Sequence, residues 1–135
     1  MHQALAIERH RAAIYRTDLS RPIKLAVEFE IINTKTTFFD YGCGHGGDVK
    51  RLTAMDVKST GWDPYYKPDA PLVSADVVNL GYILNVIEDT GERLKSLQNA
   101  WKLAGKVLIV AAQVLVSAIS SKNQLAYGDG VVTRR

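Results

Sequence analysis

The stretch that most constrains the fold runs from Thr36 to Met55. A short aromatic and β-branched run, Thr36 to Tyr41, leads into Gly42-Cys43-Gly44-His45-Gly46-Gly47 and then into Asp48 to Met55. The first run reads as a buried strand bounded by glycine. In the last, Val49, Leu52 and Met55 stand three apart and form one helical stripe. Glycines between the two allow left-handed backbone and close approach of a neighbour or a ligand. Strand, glycine turn and helix in that order open an α/β unit.

The remaining chain continues the alternation. Val57 to Trp62 is a second strand, and Ala75 to Leu80 a third that ends at Gly81. Asp89 caps a following helix, with Glu92 in capping-box spacing. Leu94, Leu97 and Trp101 give that helix its apolar stripe, and Gly105 is its expected stop. Lys106 to Leu115 is continuously apolar, the habit of a parallel strand buried on both faces. Trp62 and Trp101 are expected in the core. Residues 1–35 read as an N-terminal helical extension, with a helix start at Ser20 followed by Pro22 in its first turn. Arg9, Arg11, Arg16, Arg21 and Lys24 give this region a solvated basic face. The fold class expected is therefore α/β, a Rossmann-like sheet of mainly parallel strands flanked by helices. Residues 36–135 would form its single domain.

Composition narrows the setting. With 135 residues, 47% hydrophobic and 23% charged, the chain suits one globular domain and argues against disorder. The lone Cys43 cannot pair within the chain, which points to a reducing, cytoplasmic location. Val107 to Val116 is too short to span a bilayer, and Glu8-Arg9-His10-Arg11 interrupts any signal peptide. A net charge of +3 with a pI near 9.0 leaves nucleic acid open as a partner without requiring it. His2 and His10 are not at ligand spacing and no Cys/His cluster exists, so no metal is expected.

The glycine turn fits two templates. Gly42, Gly44 and Gly47 satisfy the dinucleotide pattern G-x-G-x-x-G. Gly42, Gly44 and Gly46, preceded by Asp40, satisfy G-x-G-x-G. A carboxylate at the start of the turn repels a pyrophosphate and suits a ligand carrying ammonium and sulfonium charges. The balance falls to S-adenosylmethionine. Asp63, in Gly61-Trp62-Asp63-Pro64, ends the second strand, where a carboxylate can accept from both ribose hydroxyls or simply open a turn before proline.

These elements, with Ala75 to Asp89, resemble the class I S-adenosylmethionine-dependent methyltransferases over roughly residues 36–116. A narrower resemblance is carried by His10-Arg11, Leu19-Ser20-Arg21-Pro22, Phe38 to Asp48, Gly61 to Tyr66, Val78 to Tyr82 and Ala126 to Gly130. Together these look like the DNA phosphorothioation-associated methyltransferases. The resemblance implies that Asp40, Gly42, Gly44 and Gly46, with Cys43 in the turn, hold the methionine part of the cofactor. Asp63 would take the ribose, Pro64 and Tyr65 would lie near the adenine, and Asn79 and Leu80 would flank the methyl group. Asp76 either faces the adenine amino group or opens its strand, with the second reading favoured. The implied partners are DNA or proteins of a DNA modification system, and the acceptor stays open.

The candidate catalytic pair is Asn79 and Tyr82. In DNA amino methyltransferases an Asp/Asn/Ser-Pro-Pro-aromatic motif follows this strand; its polar residue accepts from the amino group and its ring stacks on the flipped base. Here the motif reads Asn79-Leu80-Gly81-Tyr82, so both prolines are absent. His45 is a weaker candidate base, and Cys43 reads as a small turn residue. Asp76 follows Asp63 by only thirteen positions, too few for the usual helix and strand. The chain also ends soon after its last strong strand, so a shortened fold is expected, and its open edge leaves room for a homodimer. Two rivals to a methyltransferase follow: a non-catalytic S-adenosylmethionine-binding or docking module, and a nicotinamide-dependent oxidoreductase disfavoured by Asp40.

Overall fold

The structure, a computed structural model, describes residues 18–82 and 87–112, together with the backbone of 124–127 and 130–133. Helix α1 (Arg21–Glu28) precedes strand β1 (Thr37–Tyr41), helix α2 (Gly47–Ala54), strand β2 (Lys58–Trp62) and strand β3 (Ala75–Gly81). Helix α3 (Thr90–Leu103) and strand β4 (Ala104–Ala111) follow, then two short strands, β5 (Gln124–Tyr127) and β6 (Gly130–Thr133), paired antiparallel. The first four strands form one parallel sheet in the order β2-β1-β3-β4. The chain is thus α/β with an all-parallel sheet flanked by helices.

Alternation along β1 divides the core in two. Phe38 packs with Val77, Leu52 of α2, Ile23 and Ala26 of α1, Ile32 and Val57 on one face. Phe39 and Tyr41 pack with Val78, Leu80 and Ala100 of α3 on the other, with Trp62, Val73 and Leu97 against them. Each large apolar side chain taken fully from water contributes about 1.5–3 kcal/mol. Ile23 and Ala26 come from the segment read as an extension, so α1 belongs to the packing of the sheet; residues 1–17 lie outside the described ones. Pro22 sits in the first turn of α1, where its missing N–H costs nothing.

Strand order creates the feature that matters for function. From β1 the chain passes through α2 to β2 on one side, then returns to β3 on the other side of β1. Neighbouring crossovers diverge between the carboxyl ends of β1 and β3, the place where open α/β sheets bind ligands. The return, residues 63–74, holds only an isolated bridge between Asp63 and Lys67. No strand or helix lies within it, as the short Asp63–Asp76 spacing requires.

The second half of the chain differs from its sequence pattern in three respects. Asp89 does cap α3, its carboxylate accepting from Glu92 N at 2.7 Å. Of the expected stripe, however, only Leu97 packs on the sheet; Leu94 and Trp101 are 55% and 70% exposed. Trp101 is not in the core. Gly105 does not stop the helix, because α3 ends at Leu103 and β4 starts directly at Ala104. Nor is β4 buried on both faces: it pairs with β3 alone among the described strands, and most of its residues keep partial exposure. The continuous apolar run reflects strand-forming side chains, not a central position. Its predicted end, Gln113 to Leu115, lies outside the described residues. No helix among them is long and apolar enough to cross a membrane.

Gly61 is the tightest test of how β2 meets the turn. A Cβ there would stand 2.8 Å from Cys43 Cβ and 3.1 Å from both Cys43 Sγ and Val49 Cγ2. Gly61→Ala is expected to lower stability by about 1–3 kcal/mol through overpacking. Urea denaturation measures it, and an unchanged midpoint would refute the contact.

Candidate functional site

Among the described residues, the buried polar or charged ones are Ser20, Asp40, Asp63 and Asn79. All four lie at the carboxyl end of the sheet or at the start of α2 beside it. Such residues are normally kept out of parallel strands, which are apolar on both faces, so their gathering marks the site.

The turn is shaped by Gly42, Gly44 and Gly46, with φ of 87°, 55° and 80°. These left-handed values are open to glycine at little cost. The backbone is also tied down. Gly42 N and Cys43 N both donate to Trp62 O, at 2.7 and 2.9 Å, and Gly46 N donates to Cys43 O at 2.9 Å. Gly44 N donates to Asp63 Oδ2 at 2.8 Å. The amides of residues 42, 43, 44 and 46 therefore already serve acceptors within the fold.

Asp40 lies one residue before the end of β1, opposite Asn79 of β3 and Gly61 of β2. Asn79 Nδ2 donates to Asp40 Oδ1 at 3.0 Å, a bond between the strands on either side of the switch point. The other amide atom, Asn79 Oδ1, is buried with no hydrogen-bond partner. The amide lies against Gly81, where a Cβ would come within 2.9 Å of Asn79 Nδ2. Burial, then repulsion from Asp48, raises the Asp40 carboxyl to about 7; Asp63 adds to the rise and the Asn79 bond opposes it.

Asp63 reaches the site, and its contacts are with backbone. Oδ2 holds Gly44, while Oδ1 accepts from Tyr65 N at 2.9 Å and Tyr66 N at 3.0 Å. Three of roughly four lone-pair positions are in use. This residue fastens the end of β2 to the glycine turn and also opens the turn through the exposed Pro64. Tyr65 is 58% exposed, and Tyr66 stacks obliquely on His45 with centroids 4.4 Å apart.

Tyr82 closes β3 with φ of 59°, left-handed for an aromatic residue, and its N donates to Ala111 O at 2.6 Å. Such a conformation costs on the order of 1–3 kcal/mol and is found where function or a sharp change of direction demands it. Leu80 is fully buried in the core under α3, so it can offer the site only backbone. Cys43 is likewise turned inward. Burial first, then Asp40 and Asp63, push its thiol up to about 11, so it stays protonated. Asp76 stands at the opposite end of the sheet. Its Oδ2 accepts from Thr37 N at 3.0 Å, and its own N donates to Thr37 Oγ1 at 2.8 Å. It opens the strand, the reading favoured from sequence.

Two contributors had no signal in the sequence. Asp48 receives Ser20 N at 2.8 Å and Ser20 Oγ at 2.7 Å, clasping the start of α1 to the start of α2. Lys67 brings its Nζ over the turn, 3.4 Å from where a Cβ on Gly46 would stand. Ser20 was legible only as a helix start, and the Lys67 contact depends on the path of an irregular loop. Among the described residues no group of three His, Cys, Asp or Glu is placed to hold a metal ion. A groove of about 620 Å³ opens elsewhere, at the amino ends of the strands beside Thr37, Lys58 and Ser74.

The raised Asp40 carboxyl has a consequence for stability. Its value of about 7 lies above the ordinary 3.8, so the fold favours the protonated form. That contribution is complete below about pH 4 and is lost as pH rises through 7. Asp40→Asn keeps an acceptor for Asn79 and removes the buried charge. It is expected to exceed the parent at pH 8 by a few kcal/mol, at about 1.4 kcal/mol per pKa unit, and to match it near pH 4. Denaturation at both pH values decides, and a variant no more stable at pH 8 would contradict the assignment. The chain matches no protein-family model, no curated protein and no solved structure among those compared.

Proposed function

We propose that the chain binds S-adenosylmethionine at the carboxyl end of β1 and acts as a methyltransferase. In this reading its sheet is a class I methyltransferase sheet from which one strand–helix unit after β2 is missing. The observation that carries it is the buried Asp40–Asn79 pair beside a glycine turn ringed by Asp48 and Asp63. A pyrophosphate needs free backbone amides and tolerates no carboxylates nearby. Here the amides of residues 42, 43, 44 and 46 donate within the fold, which counts against a dinucleotide. A ligand with ammonium and sulfonium charges brings the positive charge that Asp40 lacks and donors for Asn79 Oδ1.

Bound there, the sulfonium supplies an activated methyl group and a neutral thioether leaving group. The protein's part is positioning. Asp40, Asn79 and the turn orient the amino-acid end, while Asp63 and the Pro64–Tyr66 turn border the nucleoside end. Asn79 Oδ1 is the acceptor at the switch point, and Tyr82, just after β3, offers an exposed ring on which an acceptor base could stack. Methylation linked to DNA modification by phosphorothioation follows from the sequence resemblance, with DNA or proteins of that system as partners. A second reading, a binding module without turnover, is favoured by one observation: Asn79 is 3% exposed and already donates to Asp40.

Calorimetry with S-adenosylmethionine, S-adenosylhomocysteine and NAD tests the cofactor. Both sulfur compounds are expected to bind and NAD is not, and Asp63→Ala is expected to weaken binding at least tenfold, about 1.4 kcal/mol. Absence of binding by either sulfur compound sinks both readings. Transfer of labelled methyl to DNA with or without phosphorothioate, lost in Asn79→Ala, separates the enzyme from the module.

A further inference from the structure

We infer that the Asp40–Asn79 pair accepts the cationic group of its ligand in exchange for a proton, so that binding at the switch point releases a proton. This rests on the cofactor reading above and adds a property to it.

The geometry supplies a receptor that is incomplete in two ways. Asp40 is fully enclosed, and the charges acting on it are those of Asp48 and Asp63, both negative. Each of those carboxylates has its own donors: Ser20 for Asp48, and Gly44, Tyr65 and Tyr66 for Asp63. From β3 it faces the neutral Asn79 amide, and from the turn the protonated Cys43. From α1, Arg21 and Lys24 are exposed. Asn79, only 3% exposed, has no donor to its Oδ1. Without a ligand the carboxyl holds its proton up to about pH 7. A buried carboxylate is stable when a cation stands beside it, and such a partner pulls its proton affinity down. An arriving cation would stand against the buried Asp40 carboxyl and the unpartnered Asn79 Oδ1 beside it, and the proton would leave to solvent.

The test is calorimetry of S-adenosylmethionine on the whole chain at pH 6 and pH 7, each in two buffers of different ionisation enthalpy. Affinity is expected to rise about fivefold over that unit, with net proton release that grows towards pH 6, from titration of one group near 7. Neutral 5′-methylthioadenosine carries the nucleoside without the ammonium or sulfonium and is expected to release none. Asp40→Asn, which leaves His45 of the same turn in place, is expected to bind S-adenosylmethionine more weakly and without pH dependence. Binding of S-adenosylmethionine with no proton release overturns the exchange and leaves the cofactor reading standing. No binding at either pH overturns both. Carbon-detected NMR of the Asp40 carboxyl in the free chain tests the exchange independently of any ligand: titration near 7 supports it, and titration near 4 overturns it.

Discussion

The hydrogen bond from the Asn79 amide to the Asp40 carboxyl, 3.0 Å long and shut away from water, is the contact around which the carboxyl end of the sheet is arranged. A carboxyl and an amide within a parallel sheet are each costly unless satisfied. Here one satisfies the other across the β1–β3 register. Much of the local sequence serves that contact. Gly81 leaves room for the amide, and the apolar pairs Phe38–Val77 and Phe39–Val78 below it fix the register that puts the two residues opposite each other. The bond satisfies only part of each group's capacity. What is left on the amide is Asn79 Oδ1, buried without a hydrogen-bond partner.

Rigidity of the turn follows from how many separate segments hold it. Trp62 O takes two amides, Asp63 takes a third, and the Ser20–Asp48 clasp fixes the helix that begins at Gly47. These ties come from the end of β2, the loop after it and the start of α1. A glycine-rich segment left alone would sample many conformations, and ordering it on ligand binding would weaken affinity. Tied in this way, the turn is ordered before any ligand arrives. The same ties occupy the amides of residues 42, 43, 44 and 46 within the fold.

Local chemistry is legible in the sequence wherever one residue acts on its near neighbours. Pro22 in the first turn of α1, Asp89 three residues before Glu92, and the glycines after β1 all form the local structures their types demand, while Ser20 takes the N-cap position but gives its hydroxyl to Asp48. Asp40 and Asn79 are also recognisable as polar residues at the ends of apolar strands, although nothing in the sequence pairs them. Contacts across the chain are hidden. Ser20 and Asp48 are 28 residues apart, and neither carries a signal for the other. The α3 stripe misleads for a related reason: periodicity reports that one face is apolar, but not how much of that face meets the sheet. Leu97 does, while Trp101 and Leu94, to either side, do not. The apolar run of β4 is similarly silent about whether strands lie on both sides of it.

The return from β2 to β3 is short for a crossover between parallel strands. Twelve residues, 63–74, must descend from the carboxyl end of one strand to the amino end of another. Five strand residues span about 17 Å, so this is within reach, but no helix can be fitted on the way. Part of the covering falls to side chains of the return itself and of its flank. Val73 joins the core beside Phe39 and Tyr41, and Trp62 leans on Tyr41 with ring centroids 5.2 Å apart. Trp62 Nε1 also donates to Pro68 O at 3.3 Å, pinning the loop it supports. Beyond that cover, β2 is left at the edge of the sheet with Lys58 and Thr60 exposed. Polar residues and a lysine are what an uncovered edge strand needs to resist unwanted pairing. The composition of β2, unusually polar beside β1 and β3, suits its place at the edge of the sheet. The short return keeps Tyr65, Tyr66 and Lys67 beside the glycine turn.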